Sequence, residues 1–177
     1  MDFSKLDKSI SGVVKEQQIK LGYRREKVRL YYPLSSLNRL LGKTCSVEQM
    51  QECLQEYAAS VADQYGTVTI SHEKDRFCII IPEQGSEYIH ADMKEDEFLV
   101  EFIDTIRRHG CTLNEVLAVF RKYSGHVHVE KMKNSEFDYL VYFEDGEPED
   151  FLYCLGLEGE HIIYHRFTPE DYEEFLQ

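Results

Sequence analysis

The chain has 177 residues, 42% of them hydrophobic, and a formal net charge of −13 from 20 Lys/Arg and 33 Asp/Glu. That size predicts one sizeable core and a single domain over 1–177. The sequence holds no apolar window of roughly 18 residues, which excludes a membrane-spanning helix, and the acidic balance disfavours a phosphate backbone as partner.

In chain order, apolar residues at three- and four-residue spacings (Leu6, Ile10, Val13, Val14, Ile19) predict a helix over 3–20 that Gly22 ends. Val28, Leu30 and Tyr32 alternate as a short extended segment, and Pro33 forces a turn. A short apolar helix over 34–41 follows, with Ser35 or Ser36 as its cap. Ser46 to Gln49 is a capping box opening a helix to about residue 64. A strand trio then reads as 67–71, 77–81 and 88–90, with turns at 72–75 and 82–85. Phe77 to Ile81 is apolar on both faces, as in a central strand covered from two sides.

A helix is predicted over 94–109, acidic at its start and carrying Arg107 and Arg108 at its end. Thr112 to Glu115 is a second capping box for a helix to about 123. Strands are predicted near 126–132, 137–144, 149–156 and 161–167. Thr168, Pro169 and Asp171 then open a last helix. Runs of strands between runs of helices give the class α+β, with antiparallel β-meanders packed against helices.

The order helix, glycine, strand, turn, strand, glycine turn, strand with histidine, acidic helix start is written twice. Gly66, Phe77, Gly85, His90 and Glu95-Asp96 match Gly125, Phe137, Gly146, His165 and Glu170-Asp171. This predicts an internal duplication of a helix–meander–helix unit, with pseudo-repeat halves at 46–109 and 112–177. Residues 1–44 form a basic N-terminal helical segment of charge +6, against −19 for the remainder. The alternative is that apolar matches at strand spacing recur by chance.

Cys45, Cys53, Cys78, Cys111 and Cys154 are odd in number and lack a CxxC pair. Neither a disulfide framework nor a structural zinc site is expected, and a reducing cytoplasm fits. The N-terminus interleaves charges with its apolar positions and reads as neither signal nor transit peptide.

His126 and His128 share one strand face with Glu130 in phase, and His161 shares a face with His165. Imidazoles on neighbouring strands hold zinc or iron. With Asp138 or Glu130 as orienting acid they would suit a hydrolase-like, metal-assisted enzyme. The plainer reading is polar residues at half-exposed strand positions, so no metal and no cofactor is expected. Cys154 could meet His161 or His165 across a hairpin as a thiol–imidazole pair, although a buried strand cysteine is the plainer account. The absence of P-loop, GxGxxG, GxSxG and HExxH patterns argues against the commonest nucleotide, hydrolase and zinc-protease classes.

Glu144, Asp145, Glu147, Glu149 and Asp150 cluster in one loop, more a solvated acidic rim than a paired-carboxylate site. Arg24, Arg25 and Lys27 lie among Tyr23, Tyr31 and Tyr32, an interleaving able to stack and neutralise a single strand of nucleic acid. A connector whose arginines pair with the acidic half explains them more simply. Phe137, Tyr139, Val141 and Phe143 make one greasy strand face, with Leu140 and Tyr142 opposite. Such a sheet needs two covers. Helices supply one, and the other half, a homodimer partner or a ligand supplies the second.

The runs RLYYPLSSLNRLLG, RFCIIIP, FDYLVYF and IIYHRFTPEDYEEF resemble a family of small bacterial proteins carried as a domain of unknown function, over nearly the whole chain. The resemblance implies a bacterial cytoplasmic protein and supplies no activity or site residue. The expected function is a non-enzymatic protein-interaction module with an acidic binding surface, acting on a protein partner or by self-association. Arg24, Arg25, Lys27 and the Glu144–Asp150 acids are its candidate contacts, and an enzyme using the strand histidines is the alternative.

Overall fold

The computed structural model describes residues 1–93 and 97–176. Among them are eight helices and two antiparallel sheets, of three and four strands, giving the α+β class. The chain divides into two compact units, Met1–Glu95 and Asp96–Gln177. Among the described residues no helix is long and apolar enough to cross a membrane.

The first unit contains α1 (Ser4–Leu21), β1 (Val28–Pro33), α2 (Leu34–Leu41), α3 (Val47–Ser60), α4 (Ala62–Tyr65), β2 (Thr69–Glu73), β3 (Arg76–Ile81) and α5 (Glu83–Asp92). Helix α1 buries Leu6, Ile10 and Val14 as its spacing predicts, but leaves Val13 outside and turns Gln18 inward. Helix α2 begins directly after Pro33 with no serine cap, and Leu34 N instead donates to the Asp75 carbonyl at 2.7 Å. The box from Ser46 to Gln49 caps α3 reciprocally. The predicted single helix to 64 breaks at Val61, whose ψ of 4° leaves the helical region before α4 resumes.

Sheet order is β1-β3-β2, so β3 is central as expected. Leu30 and Ile70 flank Ile79 in register, and Phe77, Ile79 and Ile81 are fully buried on the inner face. The expected second cover is not complete. Cys78 and Ile80 are only half-buried on the outer face, beside Arg29 and a Tyr31 that is 56% exposed.

The predicted strand at 88–90 is helix α5, so His90 is a helical residue. Gly85 explains the misreading. It is no turn glycine: a Cβ there would meet Ile81 Cγ2 at 2.6 Å and Tyr65 Cβ at 3.0 Å, so glycine lets α5 pack close against β3 and α4. The third strand is supplied instead by β1, from the basic N-terminal segment. That segment is therefore integral to the first core, contributing Leu6, Ile10, Val28, Leu30 and Leu37.

The second unit contains α6 (Glu97–Ile106), α7 (Leu113–Tyr123), β4 (Val127–Lys131), β5 (Tyr139–Phe143), β6 (Leu152–Glu158), β7 (His161–Phe167) and α8 (Pro169–Phe175). Its sheet is a meander in the order β4-β5-β6-β7. The two units thus do not repeat strand for strand, and the Glu95-Asp96 match lies outside the described residues. Helices α6 and α7 cover one sheet face through an edge-to-face aromatic cluster. Phe98 is 4.9 Å from Phe143, Phe102 is 4.6 Å from Tyr153, and Phe120 is 5.2 Å from Tyr153.

Helix α8, capped by Thr168 with Pro169 at its first position, crosses the opposite face. Its Phe175 lies 6.0 Å from Phe137 and 5.0 Å from Phe167. The second cover for the doubly apolar sheet is thus supplied in part by the chain itself.

Candidate functional site

The acidic loop between β5 and β6, residues 144–151, is folded on a buried ionic base. Gly146 N donates to the Phe143 carbonyl at 3.1 Å, and Glu147 N donates to Asp145 Oδ1 at 3.2 Å, closing a tight turn. Glu144, Asp145 and Glu147 are exposed on this turn, and Asp150 is half-buried.

Glu149 departs from the solvated-rim expectation. Its carboxylate accepts from Arg166 Nη2 at 2.9 Å, from Arg166 Nε at 3.3 Å and from the Tyr153 hydroxyl at 2.5 Å. The Arg166 side chain is 4% exposed and that of Glu149 is 13% exposed. The guanidinium also lies 3.6 Å from the centroid of the Phe151 ring. Arg166 was not singled out from the sequence. The available signal is that it is the one Lys/Arg after Lys133, against thirteen acids.

On edge strand β4, His128 stacks on Tyr142 at 4.7 Å. Its Nε2 is 3.3 Å from Glu130 Oε2 and its Nδ1 is 3.6 Å from Glu144 Oε1. The preceding His126 is exposed, and its carbonyl accepts from Glu144 N at 2.9 Å. His126, His128, Glu130 and Glu144 therefore line one edge of the second unit, continuous with the acidic turn.

The remaining histidines lie elsewhere. His165 is on β7, the opposite edge strand, with its ring 4.1 Å from Phe167. Strands β5 and β6 intervene, so the two edges are separated by about 14 Å, three inter-strand steps. His161 sits at the β6–β7 turn, 5.1 Å from His109, which itself contacts Glu160 at 3.0 Å. The strand histidines are not brought into one site. Among the described residues no three His, Cys, Asp or Glu side chains are grouped to hold a metal ion.

Cys154 and His165 are direct cross-strand neighbours. Cys154 is fully buried, however, and burial pushes its thiol up to about 11. It is a protonated core residue at neutral pH rather than an activated nucleophile. Asp138 is engaged in the ladder: its Oδ2 accepts from Leu157 N at 2.7 Å, and its own N donates to the Leu155 carbonyl.

In the first unit, Arg24, Arg25 and Lys27 are all exposed. Arg25 Nε lies 3.9 Å from Glu83 and 3.7 Å from Glu87 on α5, so one arginine of the basic connector is paired within its own unit.

Two grooves accompany these clusters. One of ≈ 740 Å³ lies in the second unit between the β4–β5 loop and α8, with Leu140, Tyr172 and Phe175 among its lining. Another of ≈ 550 Å³ lies on the outer face of the first unit's sheet, over Tyr31, Cys78 and Ile80.

The units differ sharply in charge. The first holds thirteen Lys/Arg against fourteen Asp/Glu, and the second holds seven against nineteen, so −12 of the −13 belongs to the second.

A family model described as "Domain of unknown function, E. rectale Gene description (DUF3877)" matches residues 3–176, so the chain belongs to that family of bacterial proteins. No curated protein and no solved structure matches the chain.

Proposed function

We propose that this member of the DUF3877 family is a non-enzymatic protein-interaction module whose acidic second unit receives a basic protein partner. The observation that carries this reading is the charge of −12 on that unit, with Glu144, Asp145 and Glu147 displayed on a turn held by the Glu149–Arg166 pair. Carboxylates on a pre-ordered turn lose little conformational freedom when a partner docks. A field of one sign also steers an oppositely charged partner and makes its capture salt-dependent. The scattered histidines and the buried Cys154 favour binding over catalysis. The five unbridged cysteines support a cytoplasmic setting.

The test is affinity capture from the native lysate at low and high salt, comparing the wild-type chain with an E144Q/D145N/E147Q variant. The reading requires a partner that is released by salt and lost with the variant. A partner held equally by both proteins rejects the acidic surface. Recovery of the chain alone transfers the reading to self-association, which light scattering then measures directly.

A further inference from the structure

We infer that the edge of strand β4 receives an extended basic segment of the partner protein, which adds to the second unit's sheet as a further strand. This deepens the acidic-surface reading and rests on it, because the same carboxylates select the segment. Strand β4 ends the order β4-β5-β6-β7 and, among the described residues, pairs with β5 alone. Such an edge is a template for another chain unless a proline, a bulge or a covering element blunts it. Residues 127–131 include no proline. Their register with β5 runs unbroken from Val127 opposite Phe143 to Lys131 opposite Tyr139.

The ladder fixes which groups the edge offers. Glu144 N donates to the His126 carbonyl at 2.9 Å, and Met132 N donates to the Asp138 carbonyl at 2.8 Å, one bond at each end of the strand. Bonded pairs alternate along an antiparallel ladder, so His126, His128, Glu130 and Met132 turn their backbone groups toward β5. Val127, Val129 and Lys131 turn theirs outward. Of these, the two valines are half-buried and Lys131 is exposed. The groove of ≈ 740 Å³ opens beside Glu130 and Lys131, which leaves room for a chain to run on past that end of the strand.

Side-chain alternation sets the chemistry of the segment. One face of β4 carries Val127 and Val129. The other carries His128 and Glu130, joined by Glu144, whose carboxylate is 3.6 Å from His128 Nδ1. Asp145 and Glu147 follow on the exposed turn. Residues directly opposite on neighbouring strands share a face, and opposite charges there attract. The segment that fits therefore alternates, with apolar residues beside the valines and Lys or Arg beside Glu130 and Glu144. Backbone pairing supplies its affinity and the alternation its specificity.

The probe is a short capped peptide of alternating lysine and valine, fluorescently labelled and titrated with the full-length protein at low salt. Two further versions carry equal numbers of backbone N-methyl groups, on the valine amides in one and on the lysine amides in the other. Charge is the same in both, but a strand bonds its neighbour through alternate residues only. One methylated peptide should therefore bind about tenfold or more weakly than the other. The weaker is the valine-methylated one if the segment runs antiparallel to β4, and the lysine-methylated one if it runs parallel. Hydrogen exchange at the amides of Val127, Val129 and Lys131, read by NMR, should slow when the unmethylated peptide is bound. Equal affinities for the two methylated peptides, unchanged exchange at those three amides, or no binding of the unmethylated peptide would overturn the inference. The E144Q/D145N/E147Q variant separates the two readings. Binding lost in the variant but indifferent to the methylation pattern keeps the acidic surface and rejects strand addition. Pattern-dependent binding that the variant retains in full keeps the strand edge and rejects the acidic turn.

Discussion

Arg166 and Glu149 are the residues on which the acidic turn stands. Deleting one member of a buried pair strands the other charge, at a cost of about 3–5 kcal/mol. Arg166→Ala should therefore lower unfolding stability in urea by about 3 kcal/mol or more, whereas the exposed neighbour change Glu147→Ala should stay within about 0.5 kcal/mol. Equal effects from the two would show that the pair is not buried.

The first unit has a comparable polar knot. The Tyr57 hydroxyl donates to Asp7 Oδ1 at 2.8 Å, and the Asp7 charge also acts on the Tyr65 phenol. Burial first, then Asp7, raises both phenols far above their usual value. Burial alone lifts Cys154 from 9.0 to about 11. In each case the folded state keeps a proton that the unfolded chain gives up. Their contribution to stability is whole below the ordinary values and shrinks as pH rises past about 9. Urea midpoints measured from about pH 8 upward should accordingly stay level and then fall, and a rise above about pH 9 would contradict the assignment.

None of these partnerships was legible in the sequence, because each joins residues far apart in the chain: Glu149 with Arg166, and Asp7 with Tyr57. Local pattern marked Glu149 only as one acid among five.

At the scale of elements, the strongest sequence signals were those satisfied locally. The boxes at Ser46 and Thr112 and the Thr168-Pro169 start all cap helices as read, because the bonds they make lie within a few residues. Residues 82–90 misled because a proline and a glycine also punctuate turns, and here the glycine serves packing. Helix propensity alone would favour Gly85→Ala by about 1 kcal/mol. The 2.6 Å approach to Ile81 and the 3.1 Å approach to the Tyr65 carbonyl outweigh it, since Ile81 is β-branched and the carbonyl is backbone. The substitution should cost about 1–3 kcal/mol, and a gain in melting temperature would show that α5 packs less closely than described.

Helix α8 permits a second element-scale test. Burial raises the Tyr172 phenol first, followed by the nearby Cys154, Glu130 and Tyr142, which places α8 over that part of the sheet. A chain ending after Thr168 should expose the Cys154 thiol to a thiol reagent that leaves the intact protein's Cys154 unmodified. Unchanged protection in the truncated protein would mean that α8 is not the cover.

For the whole molecule, charge was legible in amount but not in placement. Along the sequence the contrast falls near residue 44, where the basic segment ends. In the fold it falls between the units, because α1, β1 and α2 belong to the same unit as the acids of α3 and α5, which leaves that unit near neutral at −1. The second unit retains −12 and has only Arg166 to offset its last thirteen acids. Carboxylate footprinting of a captured complex tests the binding proposal most directly. Glu144, Asp145 and Glu147 should become protected from carbodiimide labelling when the partner is bound and regain labelling when salt releases it. Undiminished labelling of all three, with protection confined to the first unit, would contradict it.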